Sequence, residues 1–148
     1  MSAAALKLWI VLNRAQAAIA RLAEADVARH DLTIGEFGVL EALYHRGPLL
    51  LGELQRKLLV SSGGVTYLVD RLEQRGLVAR TDCPNDRRAR YAALTAAGRR
   101  LVGRIFPEHE RAITRALKGL SRAEQVSATT LLRTLGTAAA RGGEEAME

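Results

Sequence analysis

The centre of the chain has two short helical segments followed by two strand candidates that a turn-rich segment joins. Residues 51–58 carry leucines on one helical face, and residues 65–72 carry apolar residues at i, i+3, i+4 and i+7. Residues 77–81 and 90–94 are short strand candidates, and residues 82–89 between them are dense in Asp, Asn and Pro. This order predicts two packed helices followed by a β-hairpin.

The face of the second helix that lies opposite its apolar positions is polar and basic. Its residues are Gly63, Thr66, Tyr67, Asp70, Arg71 and Gln74. Ser61 or Ser62 can cap the first turn of this helix. Small residues at that end allow another surface to approach the backbone, and a helix N-terminus favours phosphate. The face therefore indicates contact with a phosphate-bearing partner.

The net charge of +6 is concentrated in the same part of the chain. Residues 51–100 contain ten basic and five acidic residues, whereas residues 1–50 balance and residues 101–148 have one basic residue in excess. Nine of the ten basic residues are arginine, whose planar guanidinium matches phosphates and base edges. A solvated basic surface is the alternative. Together with the element order, the charge favours a winged helix-turn-helix whose second helix reads double-stranded DNA and whose hairpin is the wing.

Long helices are predicted on both sides of this region. Residues 3–29 lack Gly and Pro and carry two apolar stripes, so the helix must be buried on more than one side, most simply by a second chain. Capping boxes at Thr33–Glu36 and Ser121–Glu124 open helices to about residues 46 and 140. A helix over 96–118 contains Pro107, which is expected to kink it. The predicted fold class is mainly α with a small β-hairpin wing (α+β).

The stretch from Leu54 to Arg100 resembles the MarR family of bacterial transcriptional regulators. The segments VTYLVDRLEQRGLVAR, residues 65–80, and DRRARYAALTAAGR, residues 86–99, carry the resemblance. They match a reader helix ending in Leu-Glu-x-x-Gly-Leu-Val-x-Arg, a wing with Asp-x-Arg, and a Leu-Thr-x-x-Gly exit. The flanking helices fit the family in number and length, so the likeness covers nearly the whole chain.

The resemblance implies a set of DNA contacts on the reader helix and the wing. The DNA-binding residues that it implies are Ser61, Ser62, Gly64, Thr66, Tyr67, Arg71, Asp86, Arg87, Arg88 and Arg90. In this set Arg88 enters the minor groove, Asp86 orients it, and the other arginines contact phosphates. For Asp86 the alternative is shaping the hairpin turn, and for Tyr67 it is an ordinary exposed position. Arg75 and Arg80 are interpreted as salt-bridge or packing residues. Because the glycines at 63–64 offer no side chains for direct base contacts, we expect recognition to depend more on DNA shape and on the wing arginines.

The resemblance also implies a homodimer formed by the first helix and the last two. The predicted dimer contacts are Leu8, Trp9, Leu12, Leu131, Leu132 and Leu135. We expect one MarR-like domain over 1–148, with a winged helix-turn-helix at 33–95, dimerisation parts at 3–30 and 96–140, and a disordered tail at 141–148. Two half-sites about 34–36 Å apart would make the operator nearly palindromic.

Members of this family often lose DNA affinity on binding a small phenolic, other anionic or metabolite ligand. A weak candidate pocket lies where the dimer base meets the reader domain. Its ligand-binding candidates are Trp9, Leu12, Tyr44, His45 and Phe106. Packing in the core or at an interface is the commoner role of such residues, so the identity of the small aromatic or anionic effector stays open.

Oxidation and metal binding are less favoured as signals. The oxidation-sensing members have a cysteine near the start of the first helix, whereas the single cysteine here, Cys83, lies in the wing. We interpret it as a passive loop residue, with a modifiable thiol beside two arginines as the alternative. His30, His45 and His109 show no i, i+4 pair and are predicted to be polar surface residues, so no metal and no cofactor is expected.

The sequence thus predicts a sequence-specific transcriptional repressor that binds a near-palindromic operator as a homodimer and is released by a small-molecule ligand. The alternative is a non-specific or architectural DNA-binding protein. No enzyme is expected, because no triad spacing, Gly-rich phosphate loop or paired buried carboxylates can be named. No run of 18 apolar residues and no signal peptide are found, so we expect the bacterial cytoplasm, with the nucleoid when DNA is bound.

Overall fold

A computed structural model describes residues 3–58 and 62–145, without the side chains of Ser62, Arg87, Arg88, Glu144 and Glu145. The chain divides into two compact units, Met1–Ile113 and Thr114–Glu148. In chain order the elements are α1 (Ala3–Ala28), α2 (Ile34–Arg46), β1 (Leu49–Leu50), α3 (Leu51–Leu58), α4 (Ser62–Gln74), β2 (Val78–Cys83), β3 (Asp86–Leu94), α5 (Ala96–Ala116) and α6 (Arg122–Glu145).

The helix ends follow the capping and glycine signals of the sequence. The Thr33 hydroxyl accepts a hydrogen bond from the Glu36 backbone N–H, and the Thr33 N–H donates to Glu36 Oε1, both over 3.1 Å. This reciprocal pair confirms the capping box that opens α2. Gly47 and Gly76, after α2 and α4, have φ of +75° and +71°, a region that glycine adopts at little cost. Pro107 lies inside α5, which is continuous, and the kink stays a prediction.

The wing is a longer hairpin than the sequence predicts. β2 and β3 pair antiparallel from Val78 and Leu94 up to Cys83 and Asp86, so two residues form the tip. The prediction of a turn over 82–89 was therefore wrong at both ends. The residues there are mostly polar, so they pair through their backbones and lack the alternating apolar pattern that would have indicated a strand. β1, which the sequence analysis missed, adds a third strand beside β3. A two-residue strand is too short to show a period of two.

The apolar core of the first unit fixes which face of α4 points outward. Fully buried side chains come from the end of α1, from α2, α3, α4 and α5, and from the sheet, and they include Val27, Phe37, Leu40, Leu54, Val65, Val69, Leu72, Val102 and Ile105. The inward residues of α4 are those that the apolar period predicts. Its polar residues consequently lie on the opposite side of the helix.

α1 and α6 leave large apolar side chains exposed within their own units. Of the predicted dimer contacts, Leu8, Trp9, Leu131, Leu132 and Leu135 are all at least 41% exposed. Helix α6 continues to Glu145, so the prediction of disorder from residue 141 was wrong over 141–145, and 146–148 lie outside the described residues. Glycine costs only about 1 kcal/mol in a helix and the tail contains no Pro, so nothing in residues 141–145 forces a stop.

His109 was wrongly predicted to be a surface residue. It is buried in α5, and its Nδ1 lies 3.0 Å from Oδ2 of Asp26 in α1, which is buried as well. Its ring also packs on Phe37 of α2, with ring centroids 4.5 Å apart. The partners are 83 and 72 positions away in sequence, and no local pattern announces such a pair. His45 is exposed, as expected.

Candidate nucleic-acid interface

Helix α4 presents a polar and aromatic face on a packed support. Thr66, Tyr67, Asp70, Arg71 and Gln74 are all exposed, whereas Val65, Val69 and Leu72 on the other side are buried. The rigid apolar face holds the exposed side chains in a fixed direction, which recognition of a groove requires. Ser61 and the side chain of Ser62, two further candidates, lie outside the described residues.

The beginning of α4 is open to a close neighbour. A Cβ added at Gly63 would meet no atom within 4 Å, so internal packing does not require glycine there. The absence of a side chain instead lets another surface approach the helix backbone closely. This agrees with the sequence argument that small residues at 63–64 reduce direct base contacts and favour backbone and shape recognition.

Arg71 is held between two groups of the protein. Its Nε lies 3.8 Å from Oε2 of buried Glu36, and its Cζ lies 5.8 Å from the centroid of the Tyr67 ring. Both distances fall within the range of charge and cation–π attraction. Tyr67 is 60% exposed, so the pair forms an amphipathic patch at the surface of α4.

The wing carries its basic residues on the two strands that form its tip. Arg90 lies on β3 opposite Asp82, with 3.7 Å between its Nη1 and Oδ1 of the acid, and both are exposed. Asp86 starts β3 next to the turn. The side chains of Arg87 and Arg88, which the sequence places at this tip, are outside the described residues.

Cys83 lies at the end of β2 and contacts a tyrosine of the opposite strand. The charge of its thiolate and a hydrogen bond to its side chain raise the pKa of Tyr91 above 10.0, and desolvation and Glu53 add to the effect. The thiol is partly exposed. Cys83 is a strand residue rather than the predicted loop residue, because β2 extends further along the wing than the sequence indicates. The passive role of its thiol stays a prediction.

Arg80 ties the wing to the reader helix. Its Nη2 donates to Oδ1 of Asp70 over 2.6 Å, its Nη1 donates to Oε1 of Glu73 over 3.1 Å, and its backbone N–H donates to Glu73 Oε2. Arg75 donates from Nη1 to the Asp31 carbonyl over 2.7 Å. Arg75 also forms an ion pair with Glu36, 3.5 Å from Nη1 to Oε2. These contacts agree with the interpretation of both arginines as salt-bridge or packing residues.

Three of the five ligand candidates lie together. The rings of Tyr44, His45 and Phe106 stand 4.9 to 6.5 Å apart between α2 and α5. Trp9 is 65% exposed near the start of α1 and shares no ring contact with them in the described part of the chain. The aromatic cluster is defined here as Tyr44, His45 and Phe106.

Residues 3–58 and 62–145 contain neither a metal cluster nor a membrane span. No group of three or more His, Cys, Asp or Glu in this part lies close enough to hold a metal ion. No helix in it is long and apolar enough to cross a bilayer.

Glu36, Asp26 and His109 are buried polar residues whose tertiary contacts the sequence did not predict. Only the capping role of Glu36 had a local signal.

Comparison with known proteins decides the family. The sequence model described as "MarR family" matches residues 30–89. The HTH-type transcriptional regulator MhqR of Bacillus subtilis is 40% identical over 136 residues, which cover 92% of this chain and 94% of MhqR. This chain belongs to the MarR family of transcriptional regulators.

Two solved structures show how far the MarR fold extends along the chain. Sco3205 of Streptomyces coelicolor, a MarR-family regulator in complex with DNA, has a TM-score of 0.84 at 26% identity, covering 92% of this chain and 88% of its own. BpsR of Bordetella bronchiseptica, whose DNA binding is regulated by 6-hydroxynicotinic acid, has a TM-score of 0.80 at 29% identity, covering 87% and 92%. The MarR-type winged helix with its flanking helices therefore accounts for most of the chain.

Proposed function

We propose that this MarR-family regulator is a repressor that binds a near-palindromic operator as a homodimer. The observation that carries the proposal is the outward face of α4, where Thr66, Tyr67 and Arg71 stand on a fully packed helix beside a basic hairpin. Sco3205, which was solved with DNA, supports the same use of this fold. The protein works in the cytoplasm on chromosomal DNA, and no catalytic activity is proposed.

The interface combines α4 in the major groove with the wing along the flanking backbone. Thr66, Tyr67 and Gly64 face the major groove or its phosphates, with Ser61 and Ser62 at the first turn. Arg71 contacts phosphate from the same face. The wing set, Asp86, Arg87, Arg88 and Arg90, contacts the adjacent minor groove and phosphates.

Selection of binding sites from a random duplex library, followed by footprinting, tests this function. A palindrome with half-sites about 34–36 Å apart is the expected result. Arg88→Ala should weaken operator binding by about 1–3 kcal/mol, and Arg111→Ala, an equal loss of charge on an exposed part of α5, is the control. A uniform footprint with a steep salt dependence would instead support a non-specific or architectural binder.

The homodimer is supported by the apolar side chains that α1 and α6 leave exposed. Six such residues lie on α1 and four on α6, whereas the core of the first unit is complete without them. Exposed apolar patches of this extent mark protein interfaces. Light scattering should give about twice the chain mass of 16.1 kDa, and Trp9→Glu should shift the protein towards the monomer. A monomer in the wild type would contradict the proposal.

Release by a small aromatic or anionic ligand is proposed at the aromatic cluster. Rings at the contact of α2 with α5 offer stacking surfaces, and BpsR, a relative in fold, responds to 6-hydroxynicotinic acid. The test measures operator release and thermal shift with that compound and with substituted benzoates. Phe106→Ala should abolish the response, and an unchanged response in Phe106→Ala would place the ligand elsewhere.

A further inference from the structure

One carboxylate beneath the reader helix does more than cap α2. Glu36 is 1% exposed, and its Oε1 accepts the Thr33 N–H of the capping box. Its Oε2 accepts no hydrogen bond within the described part of the chain. Two guanidinium groups approach this oxygen, with Arg75 Nη1 at 3.5 Å and Arg71 Nε at 3.8 Å.

Arg71 lies in the last turn of α4 and Arg75 directly follows the helix, so the buried charge acts on the reader helix. A buried carboxylate is costly unless cations compensate it. Arg75 already has a fixed position, because its Nη1 donates to the Asp31 carbonyl over 2.7 Å. In the described part of the chain, the other contact of Arg71 is with the Tyr67 ring, and 48% of the Arg71 side chain is exposed. It is the partner whose orientation Glu36 can set.

The contact with Glu36 uses one edge of the Arg71 guanidinium. Nε lies 3.8 Å from the carboxylate oxygen, at ion-pair rather than hydrogen-bond distance, and Cζ lies within cation–π distance of the Tyr67 ring. A guanidinium has five donors in a rigid fork, so the Nη groups keep their donors for another acceptor. An arginine held in this way can bind a phosphate with little further loss of side-chain freedom.

We propose that Glu36 is a positioning residue for DNA binding that acts through Arg71. It holds the guanidinium in one orientation on the outer face of α4 before DNA arrives. The inference rests on the proposed function, since it assigns a role only if Arg71 meets DNA. Glu36 itself is buried and does not touch the nucleic acid.

When the charge of Glu36 is removed, the proposal predicts a change in DNA affinity opposite in direction to the change that simple electrostatics predicts. Removing a negative charge near a polyanion site should strengthen binding if only the summed charge matters. If Glu36 orients Arg71, removing its charge should weaken binding, because ordering a free arginine at an interface costs about 2- to 10-fold in affinity. The direction of the change therefore separates the two accounts.

Glu36→Gln is the test variant, because glutamine at this position also completes a capping box. The probe is a duplex that the wild-type protein selects from a random library. We expect Glu36→Gln to weaken binding by about 2- to 10-fold and to change affinity by less than about 2-fold in an Arg71→Ala background. Tighter binding by Glu36→Gln, or an equal loss in both backgrounds, would overturn the proposal.

A measurement without DNA keeps the proposal testable if the variant is unstable. The ¹H–¹⁵N heteronuclear NOE of Arg71 Nε in the wild-type protein should report an ordered side chain, and the exposed Arg100 of α5 serves as the mobile control. In Glu36→Gln the Arg71 signal should become as mobile as that of Arg100. An Arg71 Nε that is already that mobile in the wild type would refute the positioning role.

The outcomes also separate this inference from the function on which it rests. A wild-type protein that selects no sequence would overturn the proposed function and the inference with it. Sequence selection by the wild type together with full affinity of Arg71→Ala would overturn the inference alone. Coupled losses in Glu36→Gln and Arg71→Ala with sequence selection would support both.

Discussion

Gly98 in the first turn of α5 packs against the backbone of Leu77, the residue before β2. A Cβ added at this position would lie 2.1 Å from the carbonyl oxygen of Leu77 and 3.2 Å from Cδ2 of Leu94. Even close carbon–oxygen contacts are about 3.3 Å, so Gly98→Ala requires a backbone shift of about 1 Å. The Leu77 carbonyl also accepts the Thr95 N–H over 3.1 Å, and the shift would stretch this hydrogen bond.

The expected cost follows from three effects. Overpacking against a rigid neighbour costs about 1–3 kcal/mol, and the weakened hydrogen bond costs about 1 kcal/mol. Replacing glycine by alanine inside a helix returns about 1 kcal/mol. We therefore expect Gly98→Ala to lower the free energy of unfolding by about 1–3 kcal/mol.

Gly103→Ala is the matched control in the same helix. Its added Cβ would meet only the Tyr44 hydroxyl at 3.7 Å, which is an ordinary contact, so the helix-propensity gain of up to about 1 kcal/mol should dominate. Urea unfolding followed by circular dichroism at equal protein concentration measures both variants. A midpoint of Gly98→Ala at or above that of Gly103→Ala, with equal slopes, would refute the packing argument.

Three other changes test the supports of the interface. Thr33→Ala removes the N-cap of α2 and should cost about 1 kcal/mol in urea unfolding, whereas Thr33→Ser should restore it. Asp26→Ala leaves His109 buried without its partner and should cost about 1–3 kcal/mol, with Asp26→Asn closer to the wild type. The Ser121 N–H and hydroxyl lower the pKa of Glu124 below 4.5, so its carboxylate stabilises the start of α6 above the unfolded pKa and loses this effect as pH falls through the folded pKa. A ¹³C titration should show the lowered pKa, and Glu124→Gln should remove the pH dependence of the protection factors of the amides at this end of α6.

The sequence was sufficient to predict the features that neighbouring residues determine. The capping residues Thr33 and Ser121, the glycines that end α2 and α4, and the apolar period of α4 each act within one or two turns, and the structure has all of them. The order of helix, reader helix and hairpin follows from these decisions. The family resemblance added double-stranded DNA as the expected partner, and the comparison with MhqR established the family.

The sequence was insufficient to predict the features that depend on contacts between segments far apart in the chain. Strand β1 consists of Leu49 and Leu50, and it is a strand only because β3 offers its edge more than 40 positions later. His109 was predicted to be a surface residue because its partner, the buried carboxylate of Asp26, lies far away in sequence, in α1. Glu36 reads as a capping residue alone, since its arginine partners lie on another helix. These contacts are set by tertiary packing, which leaves no period in the sequence.

The ion pairs of the structure show that not every basic residue in 51–100 is available to contact DNA. Arg80 is engaged with Asp70 and Glu73, so one wing arginine compensates both acids on the outer side of α4. Without it, these carboxylates would face an approaching phosphate backbone, and repulsion would oppose binding. We therefore expect Arg80 to favour DNA binding without touching DNA, and we expect the salt dependence of binding to follow the number of arginines that reach phosphates rather than the net charge.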